Sequence, residues 1–195
     1  RDCLLSRGLG DVYKRQVLDN GPLRFTAKLV YNPLVIKGDS NVVETRVISL
    51  DKGSQLNKTV ISYTDLKEVT PIVAGIVIHK ENPTGYSFDS NAGYIAYADS
   101  TQNPRNNNGV IYVGAVFPAS LNAAKAQLFP EAERKEHGGA LGHVLGISDY
   151  EPGTEYVYYW GSGWSKYGFA ADTEWTKYLE NFAQQVRNPL TVTVK

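Results

Sequence analysis

Residues 156–186 constrain the fold more than any other segment, because strand-like, turn-like and helical patterns follow one another there and all three tryptophans of the chain lie within it. The segment begins with YVYYW, a run of aromatic and β-branched residues that predicts a strand. Gly161 and Gly163 interrupt the run, and glycine allows backbone angles that a side chain forbids. We therefore expect a tight turn flanked by Trp160 and Trp164.

The pattern becomes helical from Thr173 onward. Apolar residues recur there at intervals of three and four positions, which is typical of a helix with one buried face; they are Trp175, Tyr178, Leu179, Phe182, Ala183 and Val186. Asp172 or Thr173 fits the N-cap position, and proline at position 189 cannot continue the helix. The sequence therefore predicts one amphipathic helix near the C-terminus.

Five strands are predicted in the preceding chain. They are residues 23–31, which alternate between apolar and polar side chains as half-buried strands do, and the strand-like runs 42–50, 56–63, 93–98 and 110–117. Residues 51–54 have the composition and length of a hairpin turn between the second and third of them. Residues 72–80 are almost continuously apolar, which predicts a central strand covered on both faces.

The remaining segments have weaker patterns. Residues 119–132 are rich in alanine and contain Pro130, which indicates a loop with a turn of helix. Residues 138–148 contain four glycines among apolar residues, which predicts a bulged edge strand or a strand that another element approaches closely. Residues 190–195 are predicted as a last strand. Roughly nine strands and one helix indicate a mainly β protein, built as an antiparallel sandwich or a barrel.

Composition excludes several classes of partner. The 195 residues suffice for one domain with a large core, and 20 basic residues balance 20 acidic ones, so we expect neither nucleic acid nor an anionic membrane surface as a partner. No apolar run approaches the ~20 residues of a membrane span. Cys3 is the one cysteine, which excludes an internal disulfide and a cysteine metal cluster. We predict no cofactor, and the oligomeric state stays open.

The first 16 residues differ in character from the rest. Residues 1–16 (RDCLLSRGLGDVYKRQ) have neither a strand nor a helix period, and they lack the apolar core of a secretory signal. They resemble the translated read-through of a sequencing adapter, and a real but disordered N-terminal arm is the alternative. Either way Cys3 is expected to have no function, and we predict a single β-sandwich domain over residues 17–195.

Several ordered motifs resemble a known bacterial family. They are VLDNGPLRFTAKLVY at residues 17–31, ETRVISL at 44–50, VAGIVIH at 73–79, GYIAYAD at 93–99, VGAVFP at 113–118 and the stretch 158–190. In this order they resemble the family called domain of unknown function 4861, over nearly all of residues 17–195. Members of this family look about twice as long, so the chain resembles a truncated C-terminal half.

This resemblance implies a fold and a substrate class. The family is similar to the galactose-mutarotase-like supersandwich, in which two antiparallel sheets stack and a sugar binds the concave face of one. Its members resemble secreted or periplasmic proteins of polysaccharide breakdown that act on uronate-containing oligosaccharides. The acidic and aromatic motifs associated with the family's N-terminal half have no counterpart here, which implies an incomplete active site.

The residue types suit sugar chemistry better than metal or serine chemistry. The spacing of the histidines does not match a zinc motif, and Gly161-Ser162-Gly163 is not a nucleophile elbow. Proton transfer needs residues such as histidine or tyrosine, a uronate carboxylate pairs with arginine or lysine, and an indole stacks on a pyranose. The candidates are His79, His143 and Tyr97 for catalysis, and Arg46, Trp160, Trp164 and Lys166 for substrate binding.

Each candidate also has a structural interpretation, so three functions remain open. The first is a lyase, hydrolase or epimerase for acidic oligosaccharides, which a pocket with Trp164, Lys166 and a histidine would favour. The second is a non-catalytic carbohydrate-binding module, which exposed aromatic residues without a base would favour. The third is a structural or interaction domain, in which the tryptophans are packed beneath the helix.

Overall fold

Two antiparallel sheets of unequal width stack face to face in the computed structural model of the chain, which describes residues 12–100 and 104–193. The strands are β1 (Val12–Asn20), β2 (Arg24–Tyr31), β3 (Leu34–Ile36), β4 (Asp39–Asp51), β5 (Leu56–Thr64), β6 (Thr70–Ile78), β7 (Tyr86–Asp89), β8 (Tyr94–Ser100), β9 (Val110–Val116), β10 (Ala123–Leu128), β11 (Gly142–Tyr150) and β12 (Tyr156–Trp164). The helix α1 (Asp172–Arg187) follows them. The prediction of an antiparallel β-sandwich with one C-terminal helix is confirmed.

The large sheet has the strand order β1-β2-β4-β5-β12-β9-β8-β7, with β3 paired to β4, and the small sheet has the order β10-β11-β6. We call the face of the large sheet that meets the small sheet its inner face. Alternate residues of each strand point to this face, and Ile61, Ile95 and Phe117 form the inter-sheet core together with Val144 of the small sheet.

Helix α1 packs on the outer face of the large sheet, against β8 and β9. The predicted apolar stripe is the packed one, with Trp175, Leu179 and Ala183 buried. The N-cap is Ala171 in extended conformation, one residue before the predicted position. Trp175 and Leu179 therefore anchor a second core, separate from the inter-sheet core.

The predicted tight turn at residues 161–163 is wrong, because β12 continues through both glycines to Trp164. A Cβ at Gly161 would lie 2.0 Å from the carbonyl oxygen of Gln55, and a Cβ at Gly163 would lie 2.6 Å from Cδ2 of Phe169. Close approach of neighbouring chain, and not a turn, explains these glycines.

Residues 72–80 were expected to form a central strand, and this expectation is also wrong. Strand β6 is an edge strand, which pairs with β11 alone among the described residues. Pro71 lies within it and has no N–H to donate to a neighbouring strand, which is typical of an edge. The next strand of this sheet, β11, agrees with the predicted close approach, since a Cβ at Gly142 would lie 2.2 Å from the carbonyl oxygen of Gln127.

Three further segments differ from expectation. Residues 123–128, predicted as loop, form β10, which pairs with β11 along its whole length. Residues 12–16, for which no element was expected, belong to the exposed edge strand β1. Residues 190–193 form no strand, and the rest of that predicted strand, like Cys3 and most of residues 1–16, lies outside the described residues.

We predict that Gly163→Ala lowers the free energy of unfolding by about 1–3 kcal/mol, because the new methyl group overlaps Phe169 and forces the α1 packing apart. Urea denaturation followed by circular dichroism measures the change. The control is Gly21→Ala, whose methyl group would lie no closer than 3.4 Å to its nearest neighbour. Equal stability of the two variants would contradict this account of α1 packing.

Candidate functional site

The small sheet covers only part of the inner face. Its strands pack over β7, β8 and β9, whereas the inner face of β2, β4, β5 and β12 extends beyond them. A cleft of about 420 Å³ opens where β6 ends the small sheet. We call it the inter-sheet cleft; residues 72–76 line one side, and Arg46, Tyr31, Tyr63, Tyr158 and Trp160 contribute to the other.

A buried ion pair lies beside the inter-sheet cleft. Glu44 and Arg46 are two residues apart on β4, so both side chains point to the inner face, where they are 1% and 8% exposed. Nε of Arg46 donates to Oε1 of Glu44, and the Tyr63 hydroxyl donates to Oε2 at 3.0 Å. The Arg46 guanidinium lies 4.9 Å from the ring centroid of Tyr31, close enough for a cation–π contact.

The electrostatics of this group keep the arginine charged and the tyrosines neutral. Burial opposes the charge of Arg46, but Glu44 outweighs it, so the pKa of Arg46 is raised. Burial raises the pKa of Tyr63, and Glu44 raises it further. Burial also raises the pKa of Tyr158, and it raises the pKa of Tyr156 to about 12. These phenols are therefore hydrogen-bonding groups and not bases at neutral pH.

Trp160 forms an aromatic surface on the open side of this cleft. Its side chain points to the inner face, because Tyr156, Tyr158 and Trp160 follow one another at intervals of two along β12. The residue is 40% exposed. Its indole Nε1 donates to Oγ1 of Thr59 at 2.7 Å, which fixes the ring. The indole at this position is therefore accessible from the inter-sheet cleft.

Trp164 lies on the same face, four residues further along β12, and it is 45% exposed. Its Nε1 donates to the carbonyl oxygen of Asn108 at 2.7 Å. Trp164, Lys166, Tyr167 and Ile111 share a shallow hollow, in which Lys166 donates to the carbonyl oxygen of Asn107. Trp164 and Lys166 are thus brought together, but none of the histidines lines their hollow.

The third tryptophan differs from these two. Trp175 is 1% exposed and packs beneath α1, where its Nε1 donates to the carbonyl oxygen of Val113 at 3.3 Å. Trp160 and Trp164 point away from this helix, to the opposite face of the sheet. Burial beneath the helix, which we associated with a purely structural domain, therefore applies to Trp175 and not to them.

His79 and Tyr97 meet at the end of β6. The Tyr97 hydroxyl accepts from the backbone N–H of His79 and donates to the carbonyl oxygen of Asn82, both at 3.0 Å. The ring Nδ1 of His79 lies 3.0 and 3.1 Å from the two carboxylate oxygens of Asp99. The buried Tyr97 therefore forms hydrogen bonds to the backbone of His79 and Asn82, whereas the side chains of His79 and Asp99 form a partly exposed pair.

Asp99 is the residue that sequence reasoning missed. It follows Ile95 and Tyr97 at intervals of two along β8, so all three point to the inner face. The GYIAYAD motif contains this alternation. This signal could have placed Asp99 on the inner face, but it carries no information on the partner of Asp99, the histidine that follows β6.

His143 lies apart from the other candidates. It points to the outer side of the small sheet, because it alternates along β11 with the core residue Val144. Its ring meets the ring of Phe129 edge to face, with the ring centroids 5.2 Å apart. The ring of His137 stacks on the same Phe129 ring, with the centroids 3.9 Å apart. Burial, and secondly the nearby His137, lower the pKa of His143.

The described residues contain neither a metal cluster nor a membrane-spanning helix. Within residues 12–100 and 104–193, three or more histidine, cysteine, aspartate or glutamate side chains do not converge as a metal site would require. Within the same ranges, no helix combines the length and the apolar character that crossing a membrane requires.

We predict that Arg46→Met lowers the free energy of unfolding by about 3–5 kcal/mol, because it leaves the Glu44 carboxylate buried without its cation. The double variant Glu44→Gln with Arg46→Met removes both charges and should recover most of that loss. Chemical denaturation of the three proteins measures the difference. Equal destabilisation of the single and double variants would show that the ion pair is not the cause.

We predict that His143 makes stability depend on pH. Because its pKa is lowered in the folded protein, the unfolded chain binds a proton at this residue more readily, and stability falls as the pH drops below the ordinary value of 6.5. His143→Gln should therefore lose less stability than the wild type between about pH 7.5 and pH 5. Thermal denaturation across this range tests the prediction, and identical pH profiles would contradict it.

Comparison with known proteins places the chain in a family. The profile described as "Domain of unknown function (DUF4861)" matches residues 10–192. No curated protein sequence matches the chain. A solved structure, "Crystal Structure of Heparinase III", is similar at 10% sequence identity and a TM-score of 0.44; the similarity covers 78% of this chain and 22% of that one, so the chain spans about a fifth of that protein. Because the profile matches nearly the whole chain, the protein belongs to the DUF4861 family.

Proposed function

We propose that this protein binds an acidic oligosaccharide on the inner face of its large sheet, as part of polysaccharide breakdown. The observation on which this depends is the half-exposed indole of Trp160 beside the buried arginine and tyrosines of the inter-sheet cleft. A secreted or periplasmic location fits such a substrate.

Trp160 suits the apolar face of a sugar ring. A pyranose has one face of C–H groups that packs on an indole, while its hydroxyl groups need polar partners at the rim. The hydrogen bond to Thr59 holds the indole in place before a ligand arrives. Little side-chain freedom is then lost on binding, which favours affinity.

Arg46 and the tyrosines supply polar contacts in the same cleft. Nε of the guanidinium donates to Glu44, and a guanidinium has five N–H donors in all. Since Glu44 balances the charge of Arg46, a uronate would be recognised here by directed hydrogen bonds more than by net charge. We therefore expect its affinity to depend only weakly on salt.

A non-catalytic carbohydrate-binding role is the second candidate. The side chains that line the inter-sheet cleft, among the described residues, include no histidine, aspartate or glutamate. Such a cleft binds a sugar but has no base of its own at neutral pH. Catalysis by this protein, as a lyase, hydrolase or epimerase, would need a base located elsewhere on the inner face.

We predict that Trp160→Ala weakens the binding of an oligouronate about tenfold, because a lost aromatic stacking contact of about 1.4 kcal/mol has this effect on Kd. Isothermal titration calorimetry with a panel of saturated and unsaturated uronate oligosaccharides measures Kd. Phe88→Ala is the matched control, because Phe88 is 38% exposed and lines none of the hollows described above.

Three outcomes of this titration would contradict the proposal. They are the absence of binding by any acidic oligosaccharide, equal weakening by the control variant, and unfolding of the Trp160→Ala protein in place of a change in affinity. Circular dichroism of each variant separates the last outcome from a true loss of recognition.

A further inference from the structure

A second group of polar side chains lies at the end of the inner face, away from the inter-sheet cleft. His79, Lys80, Glu81, Asp99 and Ser100 line a separate hollow there of about 420 Å³. The His79 ring is half-exposed, so it is accessible from this hollow. The group is absent from the binding cleft described above, and it includes the one close histidine–carboxylate pair among the described residues.

The position of the His79 ring is fixed from two directions. The backbone N–H of His79 donates to the Tyr97 hydroxyl, which in turn donates to the carbonyl oxygen of Asn82; these bonds fix the backbone from which the ring extends. Its Nδ1 lies almost equally far, 3.0 and 3.1 Å, from both oxygens of Asp99. A carboxylate at Nδ1 favours the tautomer with the proton on that nitrogen, which leaves Nε2 as the proton acceptor.

We propose that His79 is a catalytic residue, whose Nε2 takes a proton from an O–H group during a reaction on a glycan bound to the inner face, and that Asp99 is its positioning residue. This inference rests on the proposed function, because it assigns the substrate class from that site. It adds the base that the inter-sheet cleft lacks.

The sheet register brings this pair close to the second exposed tryptophan. Asp99 of β8 is directly opposite Ile111 of β9, and Gly163 of β12 is opposite Tyr112. The next step of that register brings Trp164 beside Ile111, and both line the same hollow. Asp99 and Trp164 are then two strand spacings apart, which is about 10 Å. A sugar stacked on Trp164 would therefore present its neighbouring rings toward His79.

The proposed step is a proton transfer that conserves atoms and charge. An O–H bond of the sugar, or of a water molecule beside it, breaks, and an N–H bond forms at Nε2 of His79. The electron pair stays on the oxygen, which becomes the stronger nucleophile, and the Asp99 carboxylate stabilises the imidazolium. The ring afterwards returns the proton to the oxygen that leaves.

The test compares wild-type protein with His79→Gln and Asp99→Asn, using His137→Gln as the control because its ring stacks on Phe129 on the outer side of the small sheet. Each protein is incubated with the uronate oligosaccharides that calorimetry shows it to bind, and chromatography with mass spectrometry follows their consumption. Products whose summed mass exceeds that of the oligosaccharide by one water identify water as the proton source, whereas a single isomeric product of unchanged mass identifies the sugar hydroxyl.

We expect His79→Gln to lower the rate of consumption about 10²- to 10⁴-fold, as is typical for the loss of a general base, without weakening binding. We expect Asp99→Asn to lower it at least about 10-fold. Nitrogen-15 NMR of the His79 ring should find the proton on Nδ1 in the wild type and a loss of that preference in Asp99→Asn. A merely structural Asp99 would not change the tautomer.

Three results would overturn the inference. Unchanged consumption by His79→Gln would exclude it as the base, and so would a wild-type protein that binds these oligosaccharides without consuming any of them. A wild-type His79 ring protonated on Nε2 would exclude the role of Asp99. The second result leaves the proposed binding function intact, whereas a failure to bind at all overturns both proposals.

Discussion

The structure depends on a mismatch in width between its two sheets. The small sheet covers the inner face of β7, β8 and β9, and α1 covers the outer face of β8 and β9, so this part of the large sheet is buried on both sides. Glycines make the outer contact possible, since a Cβ at Gly114 would lie 2.6 Å from Cδ1 of Leu179. The remaining inner face stays open, and that is where Arg46 and Trp160 lie.

Local pattern was sufficient to predict the elements that have one buried face. The alternation of β2, β4 and β5 and the helical stripe of α1 reflect burial on one side, so they are visible in the sequence. Strands β8 and β9 are buried on both faces and were predicted as strand-like runs. Strand β10 was missed because its alanines have low strand propensity, and its pairing with β11 overrides that preference. Strand β1 was missed because it is exposed along most of its length and has no burial pattern.

The candidate site was predictable in its residue types but not in its assembly. Arg46 and Trp160 were identified from chemistry, and both line the inter-sheet cleft. His143 looked equivalent to His79, but strand parity directs it to the outer side of the small sheet. The pairing of Arg46 with Glu44, two residues away on the same strand, could be expected from the sequence, because both side chains lie on one face. The partner of His79 comes from another strand, and non-local pairing of this kind is not encoded in any single segment. The pairing of Asp99 with His79 is therefore visible only once the strands are placed in the fold.

The central claim is that a sugar lies on the inner face, against the indoles of β12. The three tryptophans make this directly measurable, because each indole N–H gives its own signal in a proton–nitrogen NMR spectrum. When a uronate oligosaccharide is added, the signal of Trp160 should shift with saturation, Trp164 should respond to longer oligosaccharides, and the buried Trp175 should stay unchanged. A spectrum in which Trp160 and Trp164 do not move at any concentration, or in which only Trp175 moves, would contradict the account.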